Sequence, residues 1–574
     1  MASGLHTALS PAASSRADAR ASMPHGRELM QAAALGSLAL VVFFFHLGSY
    51  GLWEPDEARY AEIAREMLAT HSFIVPHLNY VPYIEKPPLL YWTTALAFHF
   101  LGTSEFAARL VPALSALGGV AATWWFGRRA FDHRRALLAG AILITNPLYA
   151  AMAQVLTTDM LLTAMLSVAF FCFFLQWREG GRWWIALYLA MAFAVLAKGP
   201  VGALLPLLSG VIFLCLERDL RAAIAKFHVA AGLLLVAAIA IPWFAIVAVK
   251  LPGFLDFYII GEHFRRAFVV SYSHDQPFYF FVPVIIVGLL PWSVCAPLLL
   301  VEGTRGPARS WCAIVSALVL VLFSIAEAKL IPYVLPALPP LALLLADSIL
   351  GAIETRRAQL PQRTLTGTTI VTAMGPALCL GGIGCIAVFT AAGYFHNRDI
   401  PTLARIILMT GVIILIGGAA ASTLFVRGRF EAGLTTVAGA VAVAMLTGTY
   451  GRIAVESLHS WAPLSRELAL RAPDATLIDY HRYPQAIPFY TRRRVILASP
   501  FLSELRFGAE HSTDRDRYFL YSDADLLSLW AKDRSAVLII DEADLQRLAP
   551  QLGPTRIVAS QSHKLAVASI REPG

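Results

Sequence analysis

Between about residue 30 and about residue 450 the chain is a series of long apolar runs. Each is near the ~20 residues that a helix needs to cross the hydrocarbon core of a bilayer. Runs repeated in this way exclude a signal peptide followed by a soluble domain. The first, Met30 to Leu47, is followed by no small-residue cleavage site and is expected to be retained. The runs account for a charged fraction of only 15%, against about 25% for an ordinary soluble chain. The reading is a polytopic α-helical membrane protein with about thirteen spans, centred near residues 40, 116, 142, 167, 190, 208, 238, 289, 318, 342, 380, 413 and 440. The spans near 190 and 208 are separated only by Lys198–Gly199–Pro200, which reads as a tight turn.

The basic residues test this count. They fall in alternate loops: Arg16, Arg20 and Arg27; Arg128, Arg129, Arg134 and Arg135; Arg178 and Arg182; Arg218, Arg221 and Lys226; Arg305 and Arg309; Arg356, Arg357 and Arg363; Arg427 and Arg429. Alternation without a skip is the positive-inside pattern of an inner-membrane protein. It makes residues 1–28 a cytoplasmic tail and residues 29–450 the membrane domain. An odd number of spans then places residues 451–574 on the periplasmic side. The same distribution argues against nucleic acid as the reason for the net charge of +8. All six cysteines (Cys172, Cys215, Cys295, Cys312, Cys379 and Cys385) lie in apolar runs without metal-ligand spacing. They read as buried apolar side chains.

Two outer loops are long, residues 50–104 and 251–277. The first contains PDEARYAEIAREMLATHS, in which Asp56, Arg59, Tyr60 and Ile63 recur on one helical face. PPLLYWTTALAFHFLG follows, too short to span comfortably and rich in aromatics, so it is expected in the interface. Beyond residue 450 short β-rich runs appear at Thr476–Tyr480, Arg494–Leu497, Tyr518–Tyr521, Val537–Ile540 and Lys564–Ile570. Charged helical stretches at Asp523–Lys532 and Glu542–Leu548 separate them, which reads as a small soluble α/β domain.

Charges near a membrane are costly and need a reason. The outer loops and helix ends hold Asp56, Glu57, Arg59, Glu85, Lys86, Asp159, Lys198, Glu262, His263, Arg265, Arg266, Glu327 and Lys329. Their gathering at one rim, rather than at the bilayer midplane, disfavours a lipid-linked sugar flippase or other transporter. It suits a site for a molecule with its head in water and its tail in lipid. Converging lysines and arginines fit phosphate, carboxylates fit a cationic or hydroxylic group or a base, and Tyr83 and Tyr333 fit sugar or phosphate oxygens. Each has a plainer reading. Asp56 and Glu57 suit a helix start and Asp159 an N-cap. Lys86, Lys198 and Lys329 suit snorkelling to headgroups, Arg265 and Arg266 nonspecific lipid contact, and His263 an ordinary loop. Glu85 with His263 offers two ligands for a divalent metal, short of a full set. No nucleotide motif is present.

Seven motifs occur in order: EPDEARYAEIAREM, LNYVPYIEKPPLLYW, GTSEFAARLVPAL, a TTD start to a span, LAKGPVG, GLLPWS and KLIPYVLPALPPLALLLAD. Together they resemble the bacterial branch of the dolichyl-phosphate-mannose protein mannosyltransferase superfamily, with its GT-C fold, and within it the lipid A aminoarabinose transferases. The resemblance covers about residues 30 to 450. It implies a monomeric glycosyltransferase that moves 4-amino-4-deoxy-L-arabinose from undecaprenyl phosphate to a lipid A phosphate, giving polymyxin resistance. It places the catalytic acids at Asp56, with Glu57 beside it, and at Asp159. Phosphate-binding positions fall on Arg59, Lys86, Arg265 and Arg266, and a tyrosine motif on Tyr333. Lys198, Lys329 and Tyr83 join them as substrate-binding candidates. A related transferase with another sugar or acceptor is the alternative.

Overall fold

The computed structural model describes residues 25–265, 276–302, 306–357, 361–392, 401–499 and 504–570. Among the described residues nine helices are long and apolar enough to cross a membrane, from Gly26–Phe44 to Phe430–Ala454. A helix pair bent by 110°, Phe281–Gly288 and Trp292–Leu300, makes a tenth if counted as one broken span. The other three expected centres fall on shorter helices, His133–Ile144 of 12 residues and Trp183–Lys198 and Val201–Leu216 of 16 each. At about 1.5 Å per residue these three fall short of a ~30 Å core, so the count of thirteen is not reached by length.

Thr158–Glu179 and Ile331–Arg357 are the innermost spans. Aromatic side chains fill the space around the first: Phe126 stacks on Phe171 with ring centroids 4.4 Å apart, and Trp311 on Phe173 at 4.7 Å. At one end of the bundle the basic loops meet carboxylates from their neighbours. Arg128 pairs with Glu28 at 3.0 Å, Arg129 with Glu179 at 3.2 Å and Arg357 with Glu431 at 3.5 Å. Arg135 joins Asp132, Asp347 and Glu354.

The opposite end carries the first loop and the C-terminal domain. Six strands form one sheet, in the order Phe519–Leu520, Ile496–Ala498, Leu477–Tyr480, Val537–Asp541, Lys564–Ser569 and Thr555–Gln561. The first four are mutually parallel, and Lys564–Ser569 runs antiparallel to both of its neighbours, Val537–Asp541 and Thr555–Gln561. Leu477–Tyr480 is central and buried on both faces, as parallel strands are. One face packs on helices Asp523–Lys532 and Glu542–Leu552 through Leu526, Trp530 and Leu548. The other face shares a core with the first loop, where Ala58, Ile63 and Met67 meet Leu464, Ile487, Phe489 and Leu497.

This shared core changes the first-loop helix. Asp56–Thr70 is buried continuously from Glu57 to Met67 rather than along one face, because the C-terminal domain covers the side that the periodicity leaves polar. Specific bonds fix the two parts together. Leu52 N–H donates to Tyr490 Oη at 2.9 Å, and Ala486 N–H to Glu54 at 2.7 Å. Asn79 exchanges two bonds with the backbone of Val495, at 2.9 and 3.0 Å. Asn79 and Tyr80 both have positive φ, 55° and 62°, the turn that a two-residue hairpin between His77–Leu78 and Val81–Pro82 requires. The short apolar helix Leu89–Leu101 buries Leu90, Tyr91 and Phe98 and leaves Leu96, Phe100 and Leu101 exposed.

Candidate active site

The site forms where the first loop meets the start of the span Thr158–Glu179. Asp56 opens the loop helix, and the positive end of that helix favours an acid there. Its side chain is 47% exposed and lies 3.6 Å from Arg59 one turn on. Arg59 is buried, and its Nη2 donates to Glu504 of the C-terminal domain at 2.6 Å. Tyr60 stacks obliquely on Tyr91 at 5.9 Å and lies within electrostatic reach of Asp56, Arg59 and Asp159. Burial holds the Tyr60, Tyr83 and Tyr91 hydroxyls well above the ordinary tyrosine pKa, so they remain protonated donors. Among the described residues, the buried Tyr91 Oη and Arg59 Nε have no hydrogen-bond partner. Buried donors left open call for a partner, a role that a ligand or a water in the site would fill.

Asp159 is the second residue of its helix, and no side chain caps that helix. Its carboxylate forms an ion pair with Lys198 instead. Lys198 also lies over the Tyr333 ring, 4.3 Å from the centroid. The turn after it ends one helix at Lys198 and begins the next at Val201. Gly199 makes this possible with φ +89° and ψ −157°, backbone angles that glycine alone adopts readily. Nearby, buried Tyr83 donates to Glu85 at 2.9 Å, and Lys86 Nζ donates to the Glu85 carbonyl at 3.3 Å. The structure thus brings together Asp56, Arg59, Tyr83, Glu85 and Lys86 on the first loop, and Asp159, Lys198 and Tyr333 at the helix ends.

Other candidates sit differently. Glu57, expected beside Asp56 as a second catalytic acid, is filled on both oxygens. Arg109 donates Nε and Nη2 to it at 2.8 Å each, and the backbone N–H groups of Trp53 and Leu156 donate at 3.0 Å. Burial would raise the Glu57 pKa, but Arg109 and these bonds hold it below the ordinary carboxylate value. A buried carboxylate so paired is scaffold, turned one helical step from Asp56. Lys329 is also withdrawn: it is buried and donates to the Gln276 carbonyl at 2.7 Å. Arg265 and His263 lie on a helical segment, Asp256–Arg265, whose side chains there fall outside the described residues, as does all of Arg266. The metal reading of Glu85 with His263 therefore gains no geometry, and no group of three His, Cys, Asp or Glu among the described residues is placed to hold a metal ion.

Four residues near the site escaped the sequence reading: Glu54, Tyr91, Arg109 and Glu504. Arg109 carried a signal, a lone arginine inside an apolar helix. Glu54 is enclosed by the C-terminal domain, and burial pushes its carboxyl up to about 8 against the opposing Ala486 N–H and Arg59. Glu504 carried no signal, because its partner Arg59 is 445 positions away.

Known proteins resemble this chain in sequence and fold. The family model described as Dolichyl-phosphate-mannose-protein mannosyltransferase matches residues 85–246, and the one described as Aminoarabinose transferase C-terminal domain matches residues 466–569. The undecaprenyl phosphate-alpha-4-amino-4-deoxy-L-arabinose arabinosyl transferase of Edwardsiella ictaluri is 30% identical over 427 residues, 67% of this chain and 76% of the relative. The protein of the same name from Shewanella sediminis is 25% identical over 533 residues, 89% of this chain and 93% of the relative. The crystal structure of ArnT from Cupriavidus metallidurans bound to undecaprenyl phosphate superposes with a TM-score of 0.83 at 27% identity, covering 94% of this chain and 98% of that one. With fold, C-terminal domain and chain length all in agreement, this chain belongs to the undecaprenyl phosphate-aminoarabinose arabinosyl transferase family, glycosyltransferases of the GT-C superfamily.

Proposed function

We propose that the chain transfers 4-amino-4-deoxy-L-arabinose from undecaprenyl phosphate to a phosphate of lipid A, at the periplasmic face of the inner membrane. The observation that carries this reading is the pairing of acid with cation at one edge of the bundle: Asp56 beside Arg59, and Asp159 on Lys198. A lipid-linked phosphate needs cations to neutralise it as it leaves, and an amino sugar needs carboxylates. Lys86, Arg59 and Arg266 take the first task in this reading, supported by Lys198, Arg265 and the Tyr83, Tyr91 and Tyr333 hydroxyls. Asp56 and Asp159 orient the sugar ammonium and offset positive charge developing at the anomeric carbon.

A lipid A phosphate is already ionised at neutral pH, so it attacks without a general base. In-line attack from the face opposite the leaving phosphate inverts the anomeric centre. Glu57 acts through its hold on Arg109 and on the loop backbone rather than on substrate. Glu85 orients Tyr83 and Lys86. The resulting lipid A, less anionic by the added ammonium and the lost phosphate charge, would bind cationic polymyxin less tightly.

Mass spectrometry of lipid A tests the reading, in a polymyxin-sensitive strain lacking its own transferase and supplied with this chain. The expected result is a mass increment of one aminoarabinose, lost in Asp56→Asn. Protein present in the membrane without an increment would move the reading to another sugar or acceptor. A product with retained anomeric configuration would overturn the single displacement.

A further inference from the structure

The C-terminal domain reaches the site through one short segment. Glu504 stands just before the helix Arg506–Glu510 and accepts from Arg59 Nη2 at 2.6 Å. Three contacts around it tie the segment to both outer loops. Gly508 lies so close to the Pro82 carbonyl that a Cβ there would collide with it. Phe507 packs on Phe257 with ring centroids 4.8 Å apart, and His511 Nε2 lies 3.0 Å from the Pro252 carbonyl oxygen. Glu504 is thus delivered to Arg59 by a fixed segment.

The two partners are unequal. The Arg59 side chain is 8% exposed and sits in a helix, whereas Glu504 is 36% exposed. Leaving costs Glu504 little, because water replaces the lost bond, while Arg59 stays buried and charged and must hold some anion. Its other carboxylate neighbour, Asp56, is at 3.6 Å. A guanidinium that binds a carboxylate oxygen binds a phosphate oxygen with the same geometry.

We propose that Glu504 holds, in the resting enzyme, the position on Arg59 that a phosphate monoester takes during the reaction, so that the C-terminal domain sets the charge a ligand must carry to enter. The proposal rests on Arg59 being a phosphate-binding residue. A monoester carries about −1.5 to −2 charges at neutral pH, and displaces a carboxylate of charge −1. A phosphodiester, with a single charge, gains nothing over Glu504. The ligand class is therefore a lipid-linked phosphate monoester, and two sources share that chemistry: the acceptor phosphate and the polyprenyl phosphate released by transfer. The phosphodiester donor and bulk phospholipid are excluded by the same rule.

Steady-state kinetics of the purified full-length enzyme in detergent tests this. Glu504→Gln keeps the shape and one acceptor oxygen but loses the charge. If the acceptor is the displacing ligand, this variant lowers KM for lipid A by about three- to fivefold, the scale of one partly exposed ion pair. If released polyprenyl phosphate is, added undecaprenyl phosphate inhibits the variant at a concentration lower by the same factor. In either case added phosphatidylglycerol becomes an inhibitor, because loss of the Glu504 charge admits a singly charged phosphodiester, while Glu504→Asp behaves as wild type and Glu510→Gln on the same helix changes none of these. Unchanged values for both monoesters in Glu504→Gln, or a rise in KM together with a lower Tm, would overturn the proposal and leave Glu504 a structural contact. Unchanged monoester affinities in Arg59→Lys would instead remove the phosphate role of Arg59 itself.

Discussion

Glu54, Asp56 and Glu57 lie within four consecutive positions and have three different environments. Asp56 faces the site with about half its side chain in solvent. Glu57 is locked to Arg109, and Glu54 is enclosed by the C-terminal domain. Asp56→Asn is therefore expected to abolish transfer with an unchanged Tm, which thermal unfolding in detergent and the lipid A assay check together. Glu57→Ala strands a buried arginine and is expected to destabilise by about 3–5 kcal/mol, seen as loss of monodisperse protein. Glu54 titrates in the opposite sense from Glu57. Its folded pKa of about 8 lies above its ordinary 4.5, so the folded state holds more protons than the unfolded one between these values. Stability is then full below about pH 4.5 and falls as pH rises towards 8, by up to about 1.4 kcal/mol per pH unit. Glu54→Gln should raise the Tm at pH 8 and leave it unchanged near pH 4.5; an equal Tm at both would refute this.

At the scale of elements, turns place the chemistry. Lys198 meets Asp159 because its helix stops at Gly199 and reverses at once. A β-branched side chain cannot adopt φ +89° without strain. Gly199→Val is expected to cost about 1–3 kcal/mol and to lower transfer by shifting Lys198, measurable as a joint fall in Tm and product. The same economy of length explains the spans. Helices of 16 residues beside this turn keep Lys198 at the bundle edge, where a full-length span would carry it further into water. The loop helix Asp56–Thr70 shows the reverse effect: its polar side is buried because another domain covers it.

In the whole molecule the C-terminal domain is part of the core rather than an appendage. Ile63 and Met67 of the first loop pack with Leu464, Ile487 and Leu497, and Asn79 closes the seam through Val495. Truncation before Arg466 would expose that apolar surface and the carboxylates beneath it. The truncated chain is expected to be lost to aggregation or proteolysis, which size-exclusion chromatography of detergent extracts would show. Recovery of a monodisperse truncated protein would mean that the bundle stands alone.

The amino-acid sequence by itself determined the membrane-crossing runs, the alternation of basic loops, the motif order of the family and the α/β character of the C-terminal segment. Hydrophobicity, charge and strand or helix period are local properties, legible within a window of twenty residues. Even there, Thr555–Gln561 was missed, because its burial is irregular and a register shift interrupts its pairing. Only the tertiary structure decided which charges are paired and sealed and which stay open to solvent. Glu57 finds Arg109 across 52 positions, and Arg59 finds Glu504 across 445. The energy of a charge depends on what surrounds it after folding. Two adjacent acids with the same local sequence can thus differ completely, one in solvent at the mouth of a site and one sealed beneath it.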